Sequence, residues 1–308
     1  MLRVEDLRVT FHGAGTPVPA LGSVSFALSP GRVTAVLGES GSGKSVLAKA
    51  LMGLLPRNCS VEGSMVYQDR ELLTLGMTDW LQLRGREMVL IPQSPLSHLN
   101  PVFSVAYQVG EAVQRSGVTG KASTRARVME LLAQVGFPDA RAVARLYPHQ
   151  LSGGMAQRVL MAIGLAGRPR VVIADEPTRG LDTAARDRIC SLLLSLFADA
   201  AVFIITHDLE VAELCDEVIV LYAGEIVESG PRWRIMQSPT HPYTAGLLRA
   251  HPERGMVPIE GQTPSITELP DGCRFHPRCA EASEPCRMRH PGLFDTGEVK
   301  VRCFRARC

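Results

Sequence analysis

Short apolar runs rich in β-branched residues recur along the chain, each closing on glycine, polar or acidic residues. Residues 32–37 (Arg-Val-Thr-Ala-Val-Leu), 88–91 (Met-Val-Leu-Ile), 171–174 (Val-Val-Ile-Ala) and 203–205 (Phe-Ile-Ile) read as buried strands. Between them the period changes. Residues 44–55 read as a helix with Val46, Leu47, Ala50, Leu51 and Leu54 on one side. Residues 105–115 and 124–135 read as amphipathic helices, and 155–230 alternate helix and strand. Residues 1–30 differ. They alternate apolar and polar positions in short runs broken by Gly13, Gly15, Pro17 and Pro19, which predicts antiparallel strands. The pattern is that of an α/β protein with antiparallel strands at its start and a helical stretch within residues 94–150. No internal repeat is visible.

Candidate chemistry sits where these elements meet. Gly38, Glu39, Ser40, Gly41, Ser42, Gly43, Lys44 and Ser45 form a complete G-x-x-x-x-G-K-[ST] loop at a strand-to-helix turn. Its backbone N–H groups and the helix N-terminus make an anion site. Lys44 would reach the β- and γ-phosphates of a nucleotide, and Ser45 would ligate Mg²⁺. The strand at 171–174 runs into Asp175 and Glu176. Ligands collect at the carboxyl ends of parallel strands, so Asp175 is placed to hold Mg²⁺ and Glu176 to act as general base on a water.

Leu151, Ser152, Gly153, Gly154 and Met155, followed by Ala-Gln-Arg, resemble the signature motif of ATP-binding-cassette (ABC) ATPases. Other pieces fit that family by order and spacing. Gln93 resembles the Q-loop glutamine, Asp182 in Gly-Leu-Asp the D-loop aspartate, His207 the switch histidine, and Phe11 the adenine-stacking aromatic. The resemblance implies an α/β P-loop ABC cassette with a mixed sheet core, an antiparallel β subdomain and an inserted helical subdomain, which binds ATP and Mg²⁺, the metal held by Ser45, Gln93 and Asp175. It implies catalysis by Glu176, His207 and Gln93. It also implies a head-to-tail pair of cassettes, with the signature of one closing on the phosphate loop of the other. One departure is Thr178-Arg179-Gly180, where the family commonly has small residues. The resemblance divides the chain into a core (1–93 and 155–230), a helical subdomain with the signature (94–154) and an extension (231–308). Apolar Leu96, Leu99, Val102 and Phe103 on the loop after Gln93 would contact a permease helix.

The extension narrows the family. Ser-Pro-Thr-His-Pro-Tyr-Thr at 238–244 resembles the C-terminal motif of the peptide/nickel importer ATPases. These imply import of peptides, nickel or metal chelates. The implied partners are a second, non-identical ATPase subunit, two transmembrane permease subunits and an extracytoplasmic binding protein. Cys273, Cys279, Cys286 and Cys303, spaced C-x₅-C-x₆-C-x₁₆-C, resemble the Cys-rich tail of many such ATPases. Four thiolates can hold a [4Fe–4S] cluster or Zn²⁺, or the thiols stand unligated; the C-x₂₋₄-C pairs usual for zinc are absent. Cys308 is a spare that could replace Cys303; His276 and His290 could also ligate, but each adjoins proline and is expected to serve a turn. The tail is expected to lie apart from the phosphate loop, in a separate lobe.

Composition sets bounds. The 308 residues carry a formal net charge of +2 and 5% aromatics, which gives no electrostatic or stacking case for nucleic acid. No apolar stretch reaches the ~18–20 residues that span a bilayer, and the start lacks a signal-peptide pattern. The expected location is therefore the cytoplasmic face of a membrane, held through partner subunits. The competing reading is a soluble ABC ATPase of translation, DNA repair or iron–sulfur assembly. Those classes commonly show a second cassette or a heptad insertion, or lack the His-Pro-Tyr-Thr tail.

Overall fold

The computed structural model of the protein describes residues 1–13 and 15–307; Cys308 lies outside the described residues. Contacts divide the chain into two compact units. The first contains Met1–Leu28, Val33–Thr74 and the chain from Ile205 onward. It opens with β1 (Leu2–Phe11), β2 (Val18–Leu28), β3 (Val33–Leu37), α1 (Lys44–Leu51), β4 (Cys59–Tyr67) and β5 (Arg70–Glu71). A four-stranded antiparallel sheet runs β2-β1-β4-β5. Leu2, Val4, Leu7 and Val9 of β1 are all buried. The step from Val4 to Leu7 skips one residue, and the register with β2 shifts there. Asp6 takes a left-handed φ of 54° at this point. The bulge absorbs an extra residue and returns the apolar positions to one face. Thr34–Leu37 of β3 are buried, as their continuous apolar run requires.

The second unit comprises Ser29–Arg32 and Leu75–Ile204. Its elements are α2 (Met77–Leu83), β6 (Met88–Ile91), α3 (Pro95–His98), α4 (Val105–Arg115), α5 (Lys121–Gln134), α6 (Ala140–Ala144), α7 (Gly153–Leu165), β7 (Val171–Asp175), α8 (Thr183–Leu196) and β8 (Ala201–Ile205). Strands β6 and β7 pair in parallel from Met88↔Val171 to Ile91↔Ala174, in the order β8-β7-β6. Val105, Val109 and Val113 on α4 and Val128, Leu131 and Leu132 on α5 are buried, the spacing of one helical face. Ser104 caps α4 by accepting from Tyr107 N at 3.3 Å. On the loop after Gln93, Leu96, Val102 and Phe103 are exposed, but Leu99 is buried. The sequence reading of Leu99 as a contact residue is corrected: it packs inward.

The first unit resumes with α9 (Leu209–Ala212), β9 (Glu217–Tyr222), β10 (Glu225–Pro231), α10 (Arg232–Gln237), α11 (Pro242–Arg249), α12 (Glu284–Met288), β11 (Phe294–Asp295) and β12 (Lys300–Val301). Strand β9 pairs in parallel with β3, Thr34↔Glu217 through Leu37↔Val220. It turns antiparallel into β10 through Ala223 and Gly224, both at positive φ, as a two-residue hairpin loop demands. The tail then adds to this sheet: β12 pairs with β10 (Glu228↔Val301) and with β11. Beneath it, the Glu225 side chain is 3% exposed and meets Arg274 at 3.5 Å, His290 at 2.8 Å and Arg302 at 3.6 Å. The expectation of a separate tail lobe is therefore overturned: tail and phosphate loop share one unit and one run of strands. His290 is likewise more than a turn residue, since its Nε2 lies 2.8 Å from a Glu225 carboxylate oxygen.

Candidate active site

The phosphate loop leaves the buried end of β3. A Cβ on Gly38 would stand 2.2 Å from Leu221 O, and one on Gly43 2.8 Å from Leu21 Cδ2, with φ of 103° at Gly43. Only glycine fits both places. No side chain caps the first turn of α1, so its amides stay open toward an anion. Lys44 is buried. Its Nζ donates to Gly38 O at 2.7 Å and Glu39 O at 2.8 Å, and lies 3.4 Å from Ser42 Oγ. The loop thus holds its own ammonium in place. Ser40, Gly41 and Ser45 are exposed, with Ser45 in the first turn of α1.

Phe11 and His207 belong to the same unit. Phe11 ends β1, partly exposed, opposite Val18 and Cys59. Thr206 N donates to Val36 O at 3.1 Å, so exposed His207 leaves the sheet beside the strand that carries the phosphate loop. Asp208 then caps α9 through Glu210 N at 2.9 Å.

The second unit carries the other residues. Asp175 ends β7, and Glu176 follows at a left-handed φ of 49°. For a non-glycine residue this costs about 1–3 kcal/mol, a strain that concentrates at functional sites. Gln93, Gly153, Gln157, Arg179 and Gly180 line one cavity. With its amide oxygen turned toward the guanidinium, Gln93 accepts from Arg179 Nη1 and, at 3.3 Å, Nε. The unusual Arg179 is thus a partner of Gln93. Ser152 caps α7 by accepting from Met155 N at 3.3 Å, and Asp182 caps α8 through Ala185 N at 2.8 Å. Leu151 is buried while Ser152 and Gly153 are exposed. A Cβ on Gly153 or Gly154 would meet nothing within 4 Å. Their backbone is open to an incoming group. Gln157 is buried, and its Nε2 has no hydrogen-bond partner among the described residues.

Several residues at the phosphate loop escaped the sequence reading. The Glu39 carboxylate accepts from Arg278 at 2.8 and 3.1 Å and from the Thr263 hydroxyl. Its amide donates to Tyr243 Oη at 3.0 Å. Burial pushes the Glu39 carboxyl up, but the bonds from Arg278 and Thr263 outweigh it and hold the group below the usual carboxylate range. A signal existed: an acid inside an anion-binding loop needs a cation nearby. The His-Pro-Tyr-Thr segment supplies the rest. His241 caps α11, its Nδ1 accepting from Tyr243 N at 3.0 Å. Burial drives its pKa down to about 3, against a smaller pull from a hydrogen bond to the Arg302 backbone. Glu228 accepts from the amides of Thr240 and His241 at 2.6 and 3.1 Å.

Cys273, Cys279, Cys286 and Cys303 line one small pocket with Phe275 and His276, and all four are free thiols. Burial pushes the Cys273 thiol up to about 11 and raises Cys279 and Cys303 as well. Among the described residues no three His, Cys, Asp or Glu side chains converge closely enough to hold a single ion. A Cβ on Gly272 would lie 2.1 Å from Cys286 O, so this glycine permits the close approach of the two cysteine segments. Cys190 and Cys215 are buried and Cys59 partly so, as incidental core thiols would be.

The family profile for ABC transporters matches residues 21–179. The profile described as the C-terminal region of oligopeptide/dipeptide transporters matches residues 227–286. Among similar proteins, the dipeptide transport ATP-binding protein DppD of Haemophilus influenzae is 41% identical over 98% of this chain and 94% of its own length. The oligopeptide transport ATP-binding protein AppD of Bacillus subtilis is 38% identical, covering 99% and 96%. OppD of Escherichia coli is 40% identical, covering 99% and 93%. The dimeric structure of MJ0796, a bacterial ABC transporter cassette, superposes with a TM-score of 0.67 at 26% identity, over 75% of this chain and 99% of that one. A post-hydrolysis structure of the same cassette, bound to ADP and Pi, gives the same TM-score and coverage.

Proposed function

The chain belongs to the ABC transporter family of ATP-binding subunits, in its oligopeptide/dipeptide branch, and on that premise we propose that it is the ATPase of a peptide importer. The observation that carries this is the near full-length likeness to dipeptide and oligopeptide ATP-binding proteins, through the His-Pro-Tyr-Thr extension. The soluble-ATPase reading finds no such support. Peptides, rather than nickel or metal chelates, are the cargo we propose, because the relatives are named for dipeptides and oligopeptides. No described helix is long and apolar enough to cross a membrane. We place the subunit at the cytoplasmic face, with a second cassette, two permease subunits and an extracytoplasmic binding protein. Exposed Leu96, Val102 and Phe103, the last stacked on Tyr107 at 4.3 Å, form an apolar patch suited to a permease helix.

At the nucleotide, the loop amides of residues 38–45 would cradle the phosphates, Lys44 would neutralise them, and Phe11 would stack on the base. Ser45, Gln93 and Asp175 would hold Mg²⁺, which screens the phosphate charge when bound. Ser45 and Gln93 are oxygen donors, Asp175 adds a charge at a strand end, and this set suits a hard cation. Gln93 must first exchange Arg179 for that role. Glu176 takes a proton from the attacking water, and His207 orients it. Ser152–Met155 and Asp182 would face the partner cassette, with buried Leu151 packed behind them and the open Gly153 and Gly154 amides directed at the γ-phosphate.

For the tail, we propose that Cys273, Cys279, Cys286 and Cys303 hold a structural [4Fe–4S] cluster. A four-iron cluster takes each thiolate on a different iron, so its ligands stand farther apart than those of one ion. Four thiols line one pocket, the number of thiolates such a cluster needs, and the C-x₂₋₄-C pairs usual for zinc are absent from the sequence. Raised thiol pKa values also mean that a cation must drive deprotonation.

Deleting the subunit should abolish uptake of labelled peptide and leave nickel uptake intact; unchanged peptide uptake would refute the proposed cargo. Glu176→Gln should slow hydrolysis by roughly 10²–10⁴-fold while ATP still binds, and normal steady-state ATPase activity would remove Glu176 from its role.

A further inference from the structure

The residue before Cys279 reaches into the phosphate loop. Arg278 closes a 3₁₀ turn, His276–Arg278, whose last amide bond is Cys279 N to His276 O at 3.3 Å. Its side chain is 5% exposed. Nη1 and Nη2 grip the two Glu39 oxygens at 2.8 and 3.1 Å in a fork, the strongest geometry available to such a pair. Nη1 also donates to Thr263 Oγ1 at 3.1 Å, and Nε to Glu260 O at 3.1 Å. The guanidinium lies 5.9 Å from the centroid of the Tyr222 ring.

Glu39 is therefore a junction. Its carbonyl accepts from Lys44, its amide donates to Tyr243, and its carboxylate is held by Arg278 and Thr263. Tyr243 packs on Tyr222 at 4.5 Å and on Phe275 at 5.4 Å, and Phe275 is the residue that opens the same 3₁₀ turn. Two routes, one ionic and one aromatic, thus join the cysteine segment to the loop that carries Lys44. The charge matters as much as the position. An unneutralised carboxylate in an anion cradle repels a polyphosphate; with Arg278 in place the pair is neutral.

We propose that Arg278 is a positioning residue for the ATP site: it fixes and neutralises Glu39, and so makes nucleotide affinity depend on the order of the cysteine tail. The dependence on the tail rests on the cluster reading above; the Arg278–Glu39 linkage does not.

The test uses the full-length protein, purified without oxygen, and reads two quantities: affinity for a fluorescent ATP analogue and cluster absorbance near ~400 nm. Arg278→Gln should weaken binding roughly tenfold, a typical coupling between linked sites, and leave the absorbance unchanged. Adding Glu39→Gln should restore most of that affinity, because the bare carboxylate is gone. A purely structural loss would not be rescued by a second lesion. Arg278→Lys, which keeps the charge without the fork, should fall between wild type and Arg278→Gln, and it keeps the test readable if the glutamine variant folds poorly. Cys279→Ser should lose the absorbance and weaken ATP binding to about the level of Arg278→Gln. Wild-type affinity in Arg278→Gln, or additive losses in the double variant, would overturn the positioning role. Loss of absorbance in Cys279→Ser with ATP affinity intact would overturn the link to the tail. A wild-type protein without absorbance would refute the cluster, while the Arg278 and Glu39 variants would still decide the linkage.

Discussion

The phosphate loop and the cysteine tail hold themselves together over different distances along the chain. Lys44 finds its acceptors five and six residues back, at Glu39 and Gly38. The tail reaches 51 residues from Arg274 to Ala223, 76 from Arg302 to Ile226, and 239 from Arg278 to Glu39. The loop is a local device: glycine conformations and one lysine specify it wherever a strand meets a helix. The tail has little core of its own and borrows order from β10 through two short strands and a buried acid. The two regions meet at Glu39, where the local device depends on the distant one.

The comparison breaks most visibly at Glu225. Replacing it by Ala leaves buried Arg302 and half-buried Arg274 without their acid. Breaking a buried pair costs about 3–5 kcal/mol. Urea denaturation should show a loss of that order, with early proteolysis of the tail; a loss under ~1 kcal/mol would mean that the tail is held by strand pairing alone. Lys44→Ala should act the other way. It should weaken ATP binding by roughly 100-fold, because a charge aimed at phosphates is lost, and leave the tail's protease resistance unchanged. Tail loosening in this variant would show that the loop also organises the tail.

His241 gives a pH handle on the junction. Its folded pKa is depressed to about 3 from an ordinary 6.5, so between those values the unfolded chain binds the extra proton. The stability contributed by neutral His241 is complete above pH 6.5 and falls as pH drops toward 3, with a slope of about 1.4 kcal/mol per pH unit in that window. The difference in unfolding free energy between the wild type and His241→Asn, which can still cap α11, should change across the window by about that slope, the contribution of one proton. The smallest effect is expected for Tyr243→Phe. It removes the hydroxyl that receives the Glu39 amide, worth about 1 kcal/mol, and should weaken the ATP analogue a few-fold. An effect as large as that of Arg278→Gln would make the aromatic route the dominant one.

Much of the local structure around the candidate site was legible because its pieces are contiguous. The elements expected at 32–37, 88–91 and 105–115 appear as β3, β6 and α4 almost residue for residue, since each carries its whole periodicity within itself. Leu99 was misread because an apolar residue on a Pro/Asn-rich loop looks the same inside or out; only packing shows that it is buried. Arg179 stood out as a departure, but its partner Gln93 lies 86 positions away and no spacing announces it.

What the sequence by itself determined is the local chemistry: an anion loop, strand-end carboxylates, an open glycine pair at a helix start, and a cysteine-rich tail. These depend on φ preferences, on 2- and 3.6-residue periods and on donor types, all properties of short segments. Only the tertiary structure decided where the tail goes. The pairing of β12 with β10, the two arginines on Glu225 and the Arg278 fork on Glu39 join residues tens to hundreds apart. Which distant charges meet is set by the sheet order and by the cost of leaving any of them buried alone, and that choice is made by the fold as a whole.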